Sequence, residues 1–162
     1  MMAVINVSAG NEAVLVLGDS AANANIDAGA TTGLVLPYIQ DITINNSTGV
    51  FRWKTLDSTA ENAATTPATN QITLNVVVDE DAFFGNASLG DQIQIDGLFG
   101  TSTAKTRVYF EAGFQGRDSG SKILTGSGFI SGLAPTVNMD APVWVTPVTI
   151  EVDGDYTEST VG

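Results

Sequence analysis

Histidine and cysteine are both missing from this 162-residue chain, and their absence excludes most familiar catalytic chemistry. Without imidazole no side chain titrates near neutral pH unperturbed. Without thiolate there is no cysteine nucleophile, disulfide framework or sulfur-ligated metal. Cations are scarce as well. Six Lys and Arg stand against 18 Asp and Glu, a formal net charge of −12, and they sit in three places: Arg52 with Lys54, Lys105 with Arg107, and Arg117 near Lys122. Phosphate binding draws on clustered cations that displace counterions, so a nucleic-acid reader or a binder of anionic membranes is not expected. Such acidity suits a surface past which DNA slides without adhering, and equally suits plain solubility.

Long apolar runs are lacking too. No window approaches the ~20 apolar residues of a membrane span, and the opening Met1-Met-Ala-Val-Ile-Asn-Val-Ser8 has neither the basic region nor the apolar stretch of a secretory signal. A soluble, cytoplasmic product is expected, in which the sequon-like triplets Asn46-Ser-Thr48 and Asn86-Ala-Ser88 carry no meaning.

What is present is a chain 43% apolar with 17 glycines, too hydrophobic for disorder. At this length a single domain over residues 1–162 buries roughly two-thirds of its unfolded surface. Residues 1–40 read as a partly irregular arm: apolar stretches at 13–17 and 34–39 flank an Ala, Asn, Asp and Gly-rich piece, 18–33, without strand or helix period. Asp41-Ile-Thr-Ile-Asn45 alternates, Asn45-Asn-Ser-Thr-Gly49 is turn chemistry and Val50-Phe-Arg-Trp-Lys-Thr55 follows, which predicts a hairpin. Residues 56–70 are small and polar, a long loop by length and composition. Asp57, Glu61, Thr65 and Pro67 in it are the candidates for an inter-subunit contact, against a surface loop with no partner.

Strands resume at residues 71–78, with Ile72, Leu74, Val76 and Val78 on one face and Gln71, Thr73 and Asn75 on the other. The acids of Asp79-Glu-Asp81 open the one helix expected, 79–89, kept short by Gly85. Residues 91–98 read as a strand with Ile93 and Ile95 inward, followed by a Gly and Thr loop to Ala104. Residues 105–111 place Lys105, Arg107, Tyr109 and Glu111 opposite Thr106, Val108 and Phe110, and 123–131 form a further strand. Pro147 interrupts the apolar run 143–152, which predicts an edge strand or two strands meeting at a bulge. The sum is a mainly β fold, a β-sandwich or small barrel of about eight strands with one short flanking helix and long loops.

No catalytic, cofactor or metal site is expected. The carboxylates at 79–81 fit a first helical turn, and Glu151, Asp153, Asp155 and Glu158 fit a solvated hairpin turn better than a glycosidase pair or a calcium loop, whose spacing they lack. Gly126-Ser-Gly128 has no lysine or following helix for phosphate. Trp53, between Arg52 and Lys54, and Trp144, out of phase with Val143 and Val145, are the candidate interface aromatics, with burial inside the chain the alternative for each.

This arrangement resembles a long-tailed bacteriophage tail tube protein. The likeness lies in an early hairpin, a long polar loop before residue 71, a following helix, and a closing series in which Lys122-Ile-Leu-Thr-Gly-Ser-Gly-Phe-Ile-Ser131 precedes a strand over 143–152 and an acidic glycine turn. The resemblance implies a β-sandwich with a helix at one side. It implies hexameric rings that stack into a tube for DNA passage, with other phage tail proteins as partners and the virion as location. Carried over, the 56–70 loop reaches the adjacent ring, and Gln71, Thr73, Asn75, Gln92, Gln94 and Asp96 line the lumen. A capsid decoration protein, or a carbohydrate- or calcium-binding β-sandwich, are the alternatives.

Overall fold

The computed structural model describes residues 13–26, 33–36, 38–57, 59–88, 90–114, 120–137, 139 and 143–161. The Met1 to Ser8 opening, the centre of the 18–33 piece at 27–32, and Arg117 lie outside them. The expected mainly β fold is present. Nine strands form one antiparallel sheet, ordered β2-β1-β5-β6-β8-β4-β3, with β7 beside β8 and β9 beside β6. The strands are β1 Val14–Gly18, β2 Leu34–Leu36, β3 Ile39–Trp53, β4 Asn62–Val78, β5 Val108–Gly113, β6 Lys122–Leu133, β7 Thr136–Val137, β8 Trp144–Val152 and β9 Thr157–Thr160. Two helices, α1 Glu80–Phe84 and α2 Gln92–Ala104, lie between β4 and β5. Among the described residues the sheet does not close into a barrel. It coils, so that Leu15, Leu17, Leu34 and Leu36 from one end share a core with Ile72, Leu74, Val76, Val148 and Ile150 from the other.

Within the stretch read as a partly irregular arm, Val14–Gly18 and Leu34–Leu36 are strands of this sheet. Val14-Leu-Val-Leu17 is apolar at every position because β1 is covered on both sides. Leu15 and Leu17 enter the main core, while Val14 and Val16 pack with Ile26, Ile123 and Val161 in a smaller cluster. The piece following β1 turns at Ser20, whose carbonyl accepts from the Asn23 and Ala24 amides, and returns to bury Ala24 and Ile26. Small residues obscured the one large side chain that anchors it.

Residues 91–98 are helix, so the strand expected there, and the loop after it, are corrected. The span Gln-Ile-Gln-Ile is too short to separate a period of 2 from one of 3.6. The full segment buries Ile93, Gly97, Leu98 and Thr101, a helical spacing, and Asp91 caps it by accepting from the Ile93 amide at 2.9 Å. Gly97 kinks α2 at φ 70° and faces Gly85, at φ 89°, after α1. A Cβ on either would strike the other's backbone neighbourhood, and this close approach lets the Asn86 amide donate to the Gln94 carbonyl at 3.0 Å. Among the described residues there are thus two helices where one was expected. The first starts at Asp79, which accepts from the Ala82 amide at 2.8 Å.

Strand β8 is interior, lying between β6 and β4, despite Pro147. The ladder on its β6 side lapses between Leu133↔Val148 and Thr136↔Val145. Pro147 stands opposite that gap and takes no donor from a continuous ladder. Strand β9 continues β8 past an acidic turn at Gly154, whose carbonyl accepts from Asn70 Nδ2 at 2.6 Å.

Candidate assembly surface

The expected turn at residues 45–49 and the expected loop at 56–70 are both replaced by one long hairpin. Strands β3 and β4 pair from Ile39↔Val76 to Trp53↔Asn62, with register shifts between Ile39 and Asp41 and between Thr48 and Val50. Asn45 to Thr48 therefore lie inside the ladder, and the reversal falls at residues 54–61. Asp57 and Glu61 are in that reversal, whereas Thr65 and Pro67 are in β4. Pro67 sits at a register shift between Thr48 and Val50, where a missing N–H costs no ladder bond.

The two halves of the hairpin differ. At its base, Ile42 and Ile44 are half-buried, and Ile72, Leu74 and Val76 are fully buried against the core. Beyond Asn45 every described side chain of residues 46–53 and 62–69 is exposed on both faces. At ~3.3 Å per residue the eight-residue outer arm extends about 26 Å with only its partner strand for support. Its small polar composition looked like a loop because nothing among the described residues covers it. An isolated two-stranded ribbon is marginal in water. At its end Phe51 and Trp53, 61% and 41% exposed, stack at 5.8 Å with ring planes 24° apart. Arg52, Lys54 and Leu56 are exposed beside them.

The outer face of the sheet is polar across three strands. Gln71, Thr73 and Asn75 of β4 stand level with Asn45, Thr43 and Asp41 of β3 and with Glu151, Thr149 and Pro147 of β8. Gln71 Nε2 donates to Glu151 Oε1 at 2.7 Å, and Asn75 Nδ2 to both carboxylate oxygens of Asp41 at 3.0 and 2.9 Å. These paired rows carry acids and amides but no cation. Gln92, Gln94 and Asp96 do not extend this face, because all three are on α2. Gln92 bonds Asp96 one turn away, and Gln94 donates to the Gly33 carbonyl at 3.0 Å. Their alternation depended on the strand that α2 replaces.

Trp144 is half-buried within the chain. It meets Phe83 and Phe84 edge-on at 5.8 and 5.6 Å, and Phe99 joins Phe83 and Phe84 to complete an aromatic seam between the helices and β8. Sequence reading missed the groove beside this seam. An open cavity of about 600 Å³ lies between β2, the base of the hairpin and α1, lined by Leu36, Tyr38, Val78, Ala82, Val143 and Trp144, with Asp79 and Asp81 at its rim. The apolar 34–39 stretch beside an acidic triplet was its only sequence signal.

The acidic end of the chain is dispersed. Arg107 pairs with Asp153 at 2.7 Å, bonds Ser127 Oγ at 3.3 Å and lies 5.0 Å above the Phe129 ring. Lys122 binds Glu158 at 2.7 Å and holds its carboxyl below the usual range. Among the described residues no group of three or more His, Cys, Asp or Glu is placed to hold a metal ion. A second cavity of about 390 Å³ lies over Tyr109, Glu111, Thr125 and Asp155. Burial raises the Glu111 carboxyl, and the Ile26 amide, donating to Oε2 at 2.6 Å, partly offsets this. Burial also raises Asp91, with Asp19 beside it adding to the shift. Asp19 is lowered first by its bond from Asn23.

No family model matches the chain, and no curated protein matches it. Solved structures do. A chain of the "Virion of native gene transfer agent (GTA) particle" aligns at TM-score 0.57 and 11% identity over 90% of this chain and 95% of its own. A chain of the anti-feeding prophage cap, the tube-terminating cap, aligns at 0.56 and 17% over 99% and 96%. A third, from the tail of an empty GTA particle with C6 symmetry, aligns at 0.52 and 13% over 90% and 95%. The chain shares its fold with these three chains. This is the resemblance drawn from the residues, and at such low identity it is a likeness of fold.

Proposed function

We propose that this protein is a non-enzymatic structural subunit of a phage-type tail, whose copies form hexameric rings that stack into the tube through which DNA passes. The observation that carries this reading is the shared fold, end to end, with chains of tail and tube-cap particles, one of them of C6 symmetry. The hairpin supports it. An arm exposed on both faces and ending in stacked aromatics is an unfinished surface, and a neighbouring subunit would complete it. Among the described residues nothing pairs with the outer edge of β3, fifteen residues long, nor with that of β2. Sheet pairing between subunits closes such edges, and closure into a ring removes them.

In this reading the arm of residues 46–69, with Asp57, Glu61, Thr65 and Pro67, reaches an adjacent subunit. The face of Gln71, Thr73 and Asn75 lines the bore, where amides and carboxylates let DNA slide without binding. Trp53 contributes to the contact and Trp144 holds α1. Other tail proteins begin and end the tube, and the protein is placed in the virion tail after assembly in the host cytoplasm. Negative-stain microscopy of the concentrated protein tests this. Six-fold rings or open tubes are expected, and discrete trimers or persistent monomers would overturn it.

A further inference from the structure

Among the described residues the apolar groove at the hairpin base is left open. Tyr38, on its wall, is 70% exposed and Val143 is 45% exposed. Its lining residues include Asp79 and Asp81 and no cation, and Glu80 stands between those two acids.

The hairpin tip is the groove's chemical complement. Phe51, Trp53 and Leu56 present apolar surface, and Arg52 and Lys54 flank Trp53. On a chain of net charge −12 this places two of six cations at one exposed end. The two ion pairs among the described residues use Arg107 and Lys122, and neither tip cation. Tip and groove also stand at opposite ends of the same ribbon. Strand β3 leaves Tyr38 at the groove and ends at Trp53 after 15 residues, a span of about 50 Å at ~3.3 Å per residue. A straight ribbon of that length cannot deliver its tip to its own base. A contact of this head-to-tail kind passes from copy to copy.

We propose that the hairpin tip of one copy seats in the groove of the next, Trp53 and Leu56 against the apolar wall and Arg52 and Lys54 toward Asp79, Glu80 and Asp81. This rests on the reading that copies assemble, and adds where the arm lands and which residues decide it. Opposite charge at the rim fixes orientation, and the desolvated aromatic anchor supplies most of the affinity.

Two measurements test it. Charge reversal of the tip, R52E with K54E, or of the rim, E80K with D81K, raises the concentration needed for assembly roughly tenfold or more. All four changes in one chain restore complementarity and assembly. Independently, since the chain has no cysteine, Leu56→Cys with Tyr38→Cys places one thiol at the tip and one in the groove. A short bis-maleimide then links assembled copies into a ladder of dimers, trimers and higher species, and either single variant stops at dimers. If the wild-type protein forms no rings or tubes, the assembly reading fails and this contact fails with it. If tubes form without the ladder and the fourfold reversal does not restore them, the groove holds something else, and tip docking alone is overturned.

Discussion

The Phe110 ring lies over Gly126, its cross-strand neighbour, so closely that a Cβ at position 126 would stand 2.8 Å from Cζ. Gly126 therefore leaves room for a fully buried ring. Gly126→Ala is expected to destabilise the fold by about 1–3 kcal/mol through overpacking. Adding Phe110→Leu should recover part of the loss, which a double-mutant cycle of denaturant midpoints would read as coupling. Additive effects would contradict the contact.

Asp91 accepts from the Ile93 amide at 2.9 Å and from the Asp19 amide at 3.3 Å, tying the start of α2 to the end of β1. Asp91→Ala removes both acceptors and should cost about 1–2 kcal/mol in thermal melts. Asp91→Asn keeps the acceptor for the cap and loses the one for the Asp19 amide, so it is expected to cost less than Asp91→Ala, about 0.5–1 kcal/mol at neutral pH.

Glu111 ties stability to pH. Burial raises its carboxyl above the ordinary 4.5. Between 4.5 and the raised value the folded chain holds a proton that the unfolded chain has released, so stability should rise as pH falls from neutral through the raised value, and level off near 4.5. Asp91, raised by burial, acts in the same sense. Asp19 opposes them lower down: its carboxyl lies below the ordinary 3.8, so its contribution is present above 3.8 and is lost in stronger acid. Glu111→Gln should flatten the rise between neutral pH and 4.5 in melting temperature measured against pH. An unchanged slope would rule Glu111 out as its source.

Phe51 and Trp53 stack on each other and on no part of the core. Replacing both with alanine should leave monomer stability within about 0.5 kcal/mol, because neither side chain fills core volume. Assembly, followed by light scattering and microscopy, should be lost. A large fall in monomer stability would show instead that the pair supports its own chain.

By itself the sequence determined the mainly β character, the buried face of Ile72, Leu74, Val76 and Val78 and the opposed faces of β5, because each has a repeating pattern long enough to carry one period, and the short helix after Asp79 from the acids of its first turn. Its missing histidine and cysteine likewise removed the commonest catalytic and metal chemistry before any coordinate was known. Other features were decided only by tertiary structure. Gln92 to Asp96 alternate over too few residues to distinguish strand from helix, and the choice was made by Asp91 capping and by Gly97 packing on Gly85. Residues 62–69 have no apolar face to declare a strand, and they are strand because β3 supplies a ladder. Pro147 sits in an interior strand because its neighbour's ladder lapses opposite it. The groove is the clearest case: Tyr38, Ala82 and Val143 are far apart in the chain, and the pairing of β3 and β8 with β4 brings them to one end of the sheet.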